Sequence, residues 1–229
     1  MRSIVIVHAG MSEESSTARL AAEISSALDT EARARGLEVE IRTIGVRPLA
    51  HAIVDHVLTG FPGPELDEAQ CAVGAASALV ALTPTYQGSY SGLFKAFFDV
   101  LDKDALHGTP VLLGATGGTP RHSLVTETAM RPLFTYNHAD PVPTAIYAAT
   151  EDWGAHAADS GSEGGSGLLR RIRRGARELL DRWGAFHSEQ GDAESGTVPA
   201  TLGHPGEPAT QADQWPGFTD FETLLGGGR

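Results

Sequence analysis

The sequence predicts an α/β fold built on a parallel sheet, in a single domain. Five apolar, β-branched runs recur along the chain: Ile4 to Val7, Val39 to Ile44, Ala78 to Leu82, Val111 to Leu113 and Ala145 to Tyr147. Helical periodicity fills most of the gaps between them. Three of the runs also lead into loops rich in Gly, Ser and Thr just before a helical pattern, the place where an open α/β sheet binds its ligand. With 229 residues, 41% of them hydrophobic, the chain can bury one sizeable core but not two.

The first run, SIVIVHA, passes into Gly10, Met11, Ser12, Glu13, Glu14, Ser15, Ser16 and Thr17. Hydroxyls and free N–H groups at a helix start make an anion site. Any one of Ser12, Ser15, Ser16 and Thr17 alone reads as a helix cap, whereas several together after the first strand read as a phosphate site. No Gly-Lys-Ser/Thr follows and no GxGxxG is present, which argues against triphosphates and a Rossmann dinucleotide grip. The first helix is expected over Ser16 to Arg35, with Leu20, Ile24 and Leu28 on one face and Gly36 as its stop. Shorter helices are expected over Ala50 to Leu58 and Glu65 to Ala76, separated by the turn-rich stretch Gly60 to Pro64.

The third run is expected to end at Leu82 in a polar loop within TPTYQGSYSGLFKAFFDVL, Thr83 to Leu101. Thr85, Tyr86, Gly88, Ser89 and Ser91 gather backbone donors, hydroxyls and one aromatic face, which suits a flat, polar-edged ring better than a metal. After Gly92 the residues Leu93, Phe94, Phe97, Phe98 and Leu101 form an apolar helical stripe that reads as core. Lys95 has two open readings, an i,i+4 partner of Asp99 or an anchor for the loop. The fourth run leads into Gly114-Ala115-Thr116-Gly117-Gly118-Thr119-Pro120-Arg121-His122 and a helical pattern over Leu124 to Leu133. Paired glycines let backbone approach a planar ligand closely. Arg121 and His122 stand where a nicotinamide dinucleotide or the ring edge would be met, and capping of the next helix is the alternative for His122.

The last strong helix is expected over Gly167 to His187, with Leu168, Leu169, Ile172, Leu179, Leu180, Trp183 and Phe186 on its buried face. Its Arg170, Arg171, Arg173, Arg174 and Arg177 read first as a solvated surface. Ahead of it, Asp159 to Gly167 has a linker-like composition and reads as mobile. Residues 1–187 are thus expected to form the domain. Residues 188–229 are expected to be an acidic Gly/Pro-rich tail, mostly disordered or draped over the surface, ending in the apolar cluster Trp215, Phe218, Phe221, Leu224 and Leu225.

Seventeen basic against 29 acidic residues give a net charge of −12, which argues against nucleic acid or an anionic membrane as partner. No membrane-length apolar run or cleavable leader pattern occurs, so a soluble cytoplasmic protein is expected. The single cysteine, Cys71, excludes a disulfide framework or a CxxC site and reads as small apolar filler. His8, His51 and His56 lack the spacing of a metal set, and no metal is expected.

The motifs TPTYQGSYSGLFKAFFD and ATGGTPRH resemble those of the flavodoxin-fold NAD(P)H-dependent FMN reductases, and the resemblance covers about Arg2 to Phe186. Within that family the chain looks most like the actinobacterial branch paired with luciferase-like flavin monooxygenases. The resemblance implies a flavodoxin-like three-layer sandwich, its five-stranded parallel sheet in the order 2-1-3-4-5 and FMN at the switch between strands one and three. It implies that Ser12, Ser15, Ser16 and Thr17 hold the phosphate and that Pro84, Thr85, Tyr86, Gly88 and Ser89 contact the isoalloxazine. Thr116, Gly117 and Gly118 would meet its pyrimidine edge. Hydride would pass directly from NADPH or NADH to flavin N5, with no catalytic acid, base or nucleophile, and a homodimer or homotetramer would hand reduced FMN to a monooxygenase. This chain departs from the family pattern at Met11, Glu13 and Glu14, where many relatives carry Ser followed by Arg or Pro. Acidic side chains beside a phosphate are unfavourable unless they point to solvent, which implies looser flavin binding. Competing readings are a bound-FMN oxidoreductase acting on quinones or azo compounds, a flavodoxin-like electron carrier and a flavin-free interaction module.

Overall fold

A computed structural model of the chain describes residues 3–153 and 167–193. All five expected runs are strands: β1 (Ser3–His8), β2 (Glu40–Gly45), β3 (Ala78–Tyr86), β5 (Pro110–Gly117) and β7 (Ile146–Ala149), joined by the two-residue β4 (Ser89–Tyr90) and β6 (Asp140–Pro141). The sheet runs β2-β1-β3-β5-β6, with β7 also parallel to β5 and β4 antiparallel to β3. The last position of the expected order is therefore shared. β6 pairs with Pro110 and Val111, and β7 with Gly114 to Gly117. Pro141 and Pro143, which have no N–H to give a ladder, fall at the break between the two.

Helices α1 (Ser16–Ala34), α2 (Ala50–Thr59), α3 (Pro64–Gly74), α4 (Gly92–Asp99), α5 (Arg131–Tyr136) and α6 (Gly167–Ala193) flank the sheet. Side chains alternate along each strand, so the sheet feeds two cores. On one face Val5, Val7, Leu79, Ala81 and Leu113 pack with Ile53, Leu66, Val73, Phe94, Phe97 and Phe134. On the other, Ile4, Ile6, Val80, Leu82 and Leu112 meet Leu20, Ile24 and Leu28 of α1 and Ile172, Leu179 and Trp183 of α6. The result is the three-layer arrangement that the family resemblance implies, on the parallel sheet that the alternation of runs predicts.

Four expectations change. β3 does not stop at Leu82 but continues to Tyr86 and folds back through Gln87 and Gly88, whose φ values of 50° and 79° match a tight type I′ hairpin turn. The register Thr83↔Ala115 and Pro84↔Thr116 keeps the polar stretch in the sheet. The helix expected over Leu124 to Leu133 opens instead as a π turn, Thr126–Met130, in which the Arg131 N–H reaches Thr126 O. Pro132 explains it: an α-helix would need a donor at 132 for the carbonyl of Thr128, and proline has none. Cys71 is exposed, not core filler, because it lies on α3 between Ala69 and Val73 of the buried stripe and faces away from it. The last helix runs six residues past His187; the Asp159 to Gly167 expectation up to 166, and the tail from 194 on, lie outside the described residues.

A guanidinium and a carboxylate hold the β6 to β7 connection from two sides. The Arg131 guanidinium donates to the carbonyls of Val142 (3.1 Å) and Pro143 (3.2 Å) while paired with Glu127. Glu178 of α6 accepts from the Thr144 N–H (2.7 Å) and Oγ1 (2.8 Å) and from Arg174. Burial pushes the Glu178 carboxyl up, but the Thr144 and Arg174 hydrogen bonds outweigh it and hold the group below the ordinary 4.5. Arg131 lowers Glu127 in the same sense. Folded-state values below the unfolded ones mean stability that is present above about pH 4.5 and lost as pH falls through the folded values. Thermal melts from pH 7 to 3.5 are expected to show that acid loss, and Glu178→Gln is expected to flatten it.

Candidate active site

The carboxyl ends of β1, β3 and β5 bring three loops together, and each is shaped by a close approach. In the first, the Ala9 N–H donates to Leu82 O (2.9 Å), tying the exit of β1 to β3. Ser15 caps α1, its Oγ accepting from the Ala18 N–H at 3.1 Å. A Cβ on Gly10 would sit 2.1 Å from Ser15 Oγ, so a larger residue there displaces the cap of α1. Ser12 and Ser16 are exposed and Ser15 is half-buried, so hydroxyls accompany the uncapped first N–H groups at the start of α1. Glu13 and Glu14 are both exposed, which is the condition under which they tolerate an anion nearby. Thr17 differs. It is 1% exposed, and its Oγ1 lies 2.8 Å from Thr116 Oγ1, a buried link between the first and third loops. Thr17→Val leaves the Thr116 hydroxyl buried without a partner and is expected to cost about 1 to 3 kcal/mol. The double variant Thr17→Val/Thr116→Val is expected to recover most of that loss in thermal melts.

The second loop is the β3–β4 hairpin. Thr85 pairs with Tyr90 and Tyr86 with Ser89 across it, and Gly88 opens onto free space. Its base is fixed by Thr83 Oγ1, which accepts from the Ser91 N–H (3.0 Å), and by Ser91 Oγ, which caps α4 through the Phe94 N–H. Pro84 is buried, and the Tyr86 ring stands half exposed. Thr85 Oγ1 is buried and has no partner among the described residues. Lys95 takes its helical reading, an ion pair with Asp99.

In the third loop a Cβ on Gly117 would lie 2.1 Å from Tyr147 Oη and 3.6 Å from Thr85 Cβ, while Gly118 faces open space. Tyr147 is a site residue that the sequence reading missed; its Oη donates to Thr119 O (3.0 Å) and so pins the loop from below. The available signal was one large polar-tipped residue in an otherwise small, apolar final run. Arg121 and His122 lie in a short 3-10 turn, where Arg121 Nε donates to His122 Nε2 at 3.2 Å, so the His122 ring bonds its neighbour and does not cap the following helix. Of the remaining histidines, His51 is exposed, His56 Nδ1 is 3.4 Å from Gln70 Nε2, and His8 lies under the first loop.

These pieces fit one kind of ligand. The hydroxyls at the α1 start suit a phosphate. Gly88 and Gly118 leave bare backbone facing open space, Gly117 lies opposite Thr85, whose hydroxyl is buried without a partner among the described residues, and the aromatic face on the hairpin turn is Tyr86. No titratable side chain is needed to complete the set, which suits chemistry carried between two bound rings.

Comparison with known proteins agrees. Residues 2–154 match the family described as NADPH-dependent FMN reductase. The chain is 35% identical over 186 residues to the NADH-dependent FMN reductase SfnE of Pseudomonas putida, covering 81% of this chain and 94% of that one. It is 37% identical over 119 residues to the FMN reductase (NADPH) of Pseudomonas aeruginosa, covering 52% and 64%. Among solved structures, an oxidoreductase from Corynebacterium diphtheriae superposes with a TM-score of 0.74 at 39% identity, covering 81% of this chain and 98% of that one. The apo form of the NADH:FMN oxidoreductase EmoB gives 0.60 at 27% identity, covering 90% and 97%. With the family match running over residues 2–154, the chain belongs to the NADPH-dependent FMN reductase family, enzymes that reduce FMN with NAD(P)H.

Proposed function

We propose that this reductase takes FMN as an exchangeable substrate and passes the reduced flavin to a luciferase-like flavin monooxygenase. Ser12, Ser15 and Ser16 hold the phosphate, with Thr17 joining that loop to Thr116. Pro84, Thr85, Tyr86, Gly88 and Ser89 line one side of the isoalloxazine, and Thr116, Gly117 and Gly118 meet its pyrimidine edge. The observation that carries the reading is the buried, unpartnered Thr85 Oγ1 opposite Gly117. Such a group costs about 1 to 3 kcal/mol when left dry, and a ligand's polar edge relieves it.

When bound, FMN accepts a hydride at N5 from NADPH or NADH. The protein's part is placement. The hairpin turn and the Gly117–Gly118 backbone set the plane of the ring, and N–H groups of the third loop stabilise negative charge at its N1 and O2 edge. Arg121 and His122 border the nicotinamide side. The Ser12 and Ser16 hydroxyls offered to the phosphate are exposed, so that end of the flavin exchanges with solvent, which is what a flavin supplier needs. The working form is a homodimer or homotetramer.

The test is oxidation of NADPH, and separately NADH, by flavin-stripped protein as FMN is raised from none to excess. Turnover climbing well beyond one equivalent of FMN is the expected result. Saturation at one equivalent with a requirement for a quinone or azo acceptor would replace it with a bound-flavin oxidoreductase.

A further inference from the structure

We propose that His8 is a further phosphate-binding residue, its Nδ1 presenting a hydrogen beneath Gly10 to the phosphomonoester of FMN, so that FMN binding draws a proton onto the protein. The inference rests on the reading of the first loop as the phosphate site.

His8 is the last residue of β1, in register with Gly45 of β2. Glycines flank the imidazole on both sides: a Cβ on Gly45 would lie 3.4 Å from Nε2, and a Cβ on Gly10 would lie 3.3 Å from Nδ1. The same Cβ on Gly10 would lie 2.1 Å from Ser15 Oγ, the cap of α1, so Nδ1 and the Ser15 hydroxyl approach one point beside Gly10. Nδ1 is buried and has no partner among the described residues. A strand-end filler needs no ring nitrogen, since leucine would pack there without leaving a polar atom dry.

Gly10 from the first loop and Gly45 from β2, the two residues placed against the ring, carry no charge. Glu13 and Glu14, the nearest acidic residues in the loop, are exposed. Burial holds the His8 imidazole below its ordinary 6.5, which favours the neutral ring without ligand. A phosphate dianion within about 4 to 6 Å favours the charged form. The folded value then rises on binding, and between the free and bound values each FMN bound takes up part of a proton. Riboflavin, which has no phosphate, does not.

The experiment is calorimetry of flavin-stripped full-length protein at pH 7 with FMN and with riboflavin, each in two buffers of different ionisation enthalpy. The expected result is net proton uptake with FMN and none with riboflavin. The phosphate itself, with its second pKa about 6, works in the opposite direction by losing its residual proton. His8→Gln is expected to abolish the uptake and weaken FMN about tenfold, the size of one charge-assisted hydrogen bond, with riboflavin affinity unchanged. FMN binding without uptake by the wild type, or equal uptake by His8→Gln, overturns the role of His8 and leaves the flavin reading intact. Wild-type protein that does not bind FMN overturns both. The wild-type contrast of FMN with riboflavin decides the matter even where the variant does not fold.

Discussion

Gly117→Ala is expected to raise the KM for FMN by tenfold or more while the protein stays folded. The added Cβ would fall 2.1 Å from Tyr147 Oη and 3.1 Å from its Cζ, so either the tyrosine or the end of β5 has to move. Tyr147 is not free to swing, because its hydroxyl is bonded to Thr119 O and its own carbonyl accepts from Arg171, which also holds Asp152. The loop therefore shifts, and with it the backbone opposite Thr85. Overpacking of this kind costs about 1 to 3 kcal/mol. Placed on the backbone proposed to meet the ring, 1.4 kcal/mol is already about tenfold in affinity. Tyr147→Phe removes the offending oxygen, so the double variant Gly117→Ala/Tyr147→Phe is expected to regain thermal stability lost by the single one. It should regain only part of the KM, because Thr119 O has then lost its donor. Steady-state kinetics with varied FMN and thermal melts on all three variants read both effects. An unchanged KM in Gly117→Ala would mean that the flavin does not approach this backbone.

The parts of this site that local chemistry specifies were legible in the sequence. Gly10 followed by four hydroxyls, the TPTY stretch and the Gly117–Gly118 pair each announce a loop after a buried run, and the sheet order then gathers them. The hairpin was not legible, because Thr83, Pro84 and Thr85 have the composition of a loop and only the pairing of Thr83 and Pro84 with Ala115 and Thr116, and of Thr85 with Tyr90, keeps them extended. Nor was the turn type, since glutamine at a φ of 50° is paid for by the strands on either side. Tyr147, the Thr17 to Thr116 bond across 99 residues and the dry nitrogen of His8 all depend on elements far apart in sequence. Periodicity reports which face of an element is buried, not which polar atom meets which across the sheet. The exposed Cys71 makes the same point in reverse, as residue type suggested burial and helix phase decided against it.

Phe94→Ala is expected to be the most damaging single truncation in the core, at about 3 to 5 kcal/mol. Phe94 is fully buried and lies at the centre of an aromatic cluster, with ring centroids 4.8 Å from Phe98, 6.2 Å from Phe134 and 5.9 Å from Tyr90. Removing it takes away three ring contacts at once and opens a cavity between α4, α5 and the hairpin. At about 2 to 4 °C per kcal/mol for a domain of this size, the melting temperature is expected to fall by roughly 6 to 20 °C. The consequence extends to function because Phe94 joins core and site. Its N–H is the donor that Ser91 caps, and Tyr90, against which its ring packs, is the hairpin partner of Thr85. A hairpin released from α4 no longer fixes the Thr85 hydroxyl. FMN affinity is therefore expected to drop even at temperatures where the variant is fully folded. Phe94→Leu, which keeps most of the volume, is expected to lose far less stability and to retain flavin binding. Equal flavin affinity in Phe94→Ala and wild type at low temperature would show that the hairpin holds its shape without the aromatic cluster, and that Thr83 and Ser91 alone fix it.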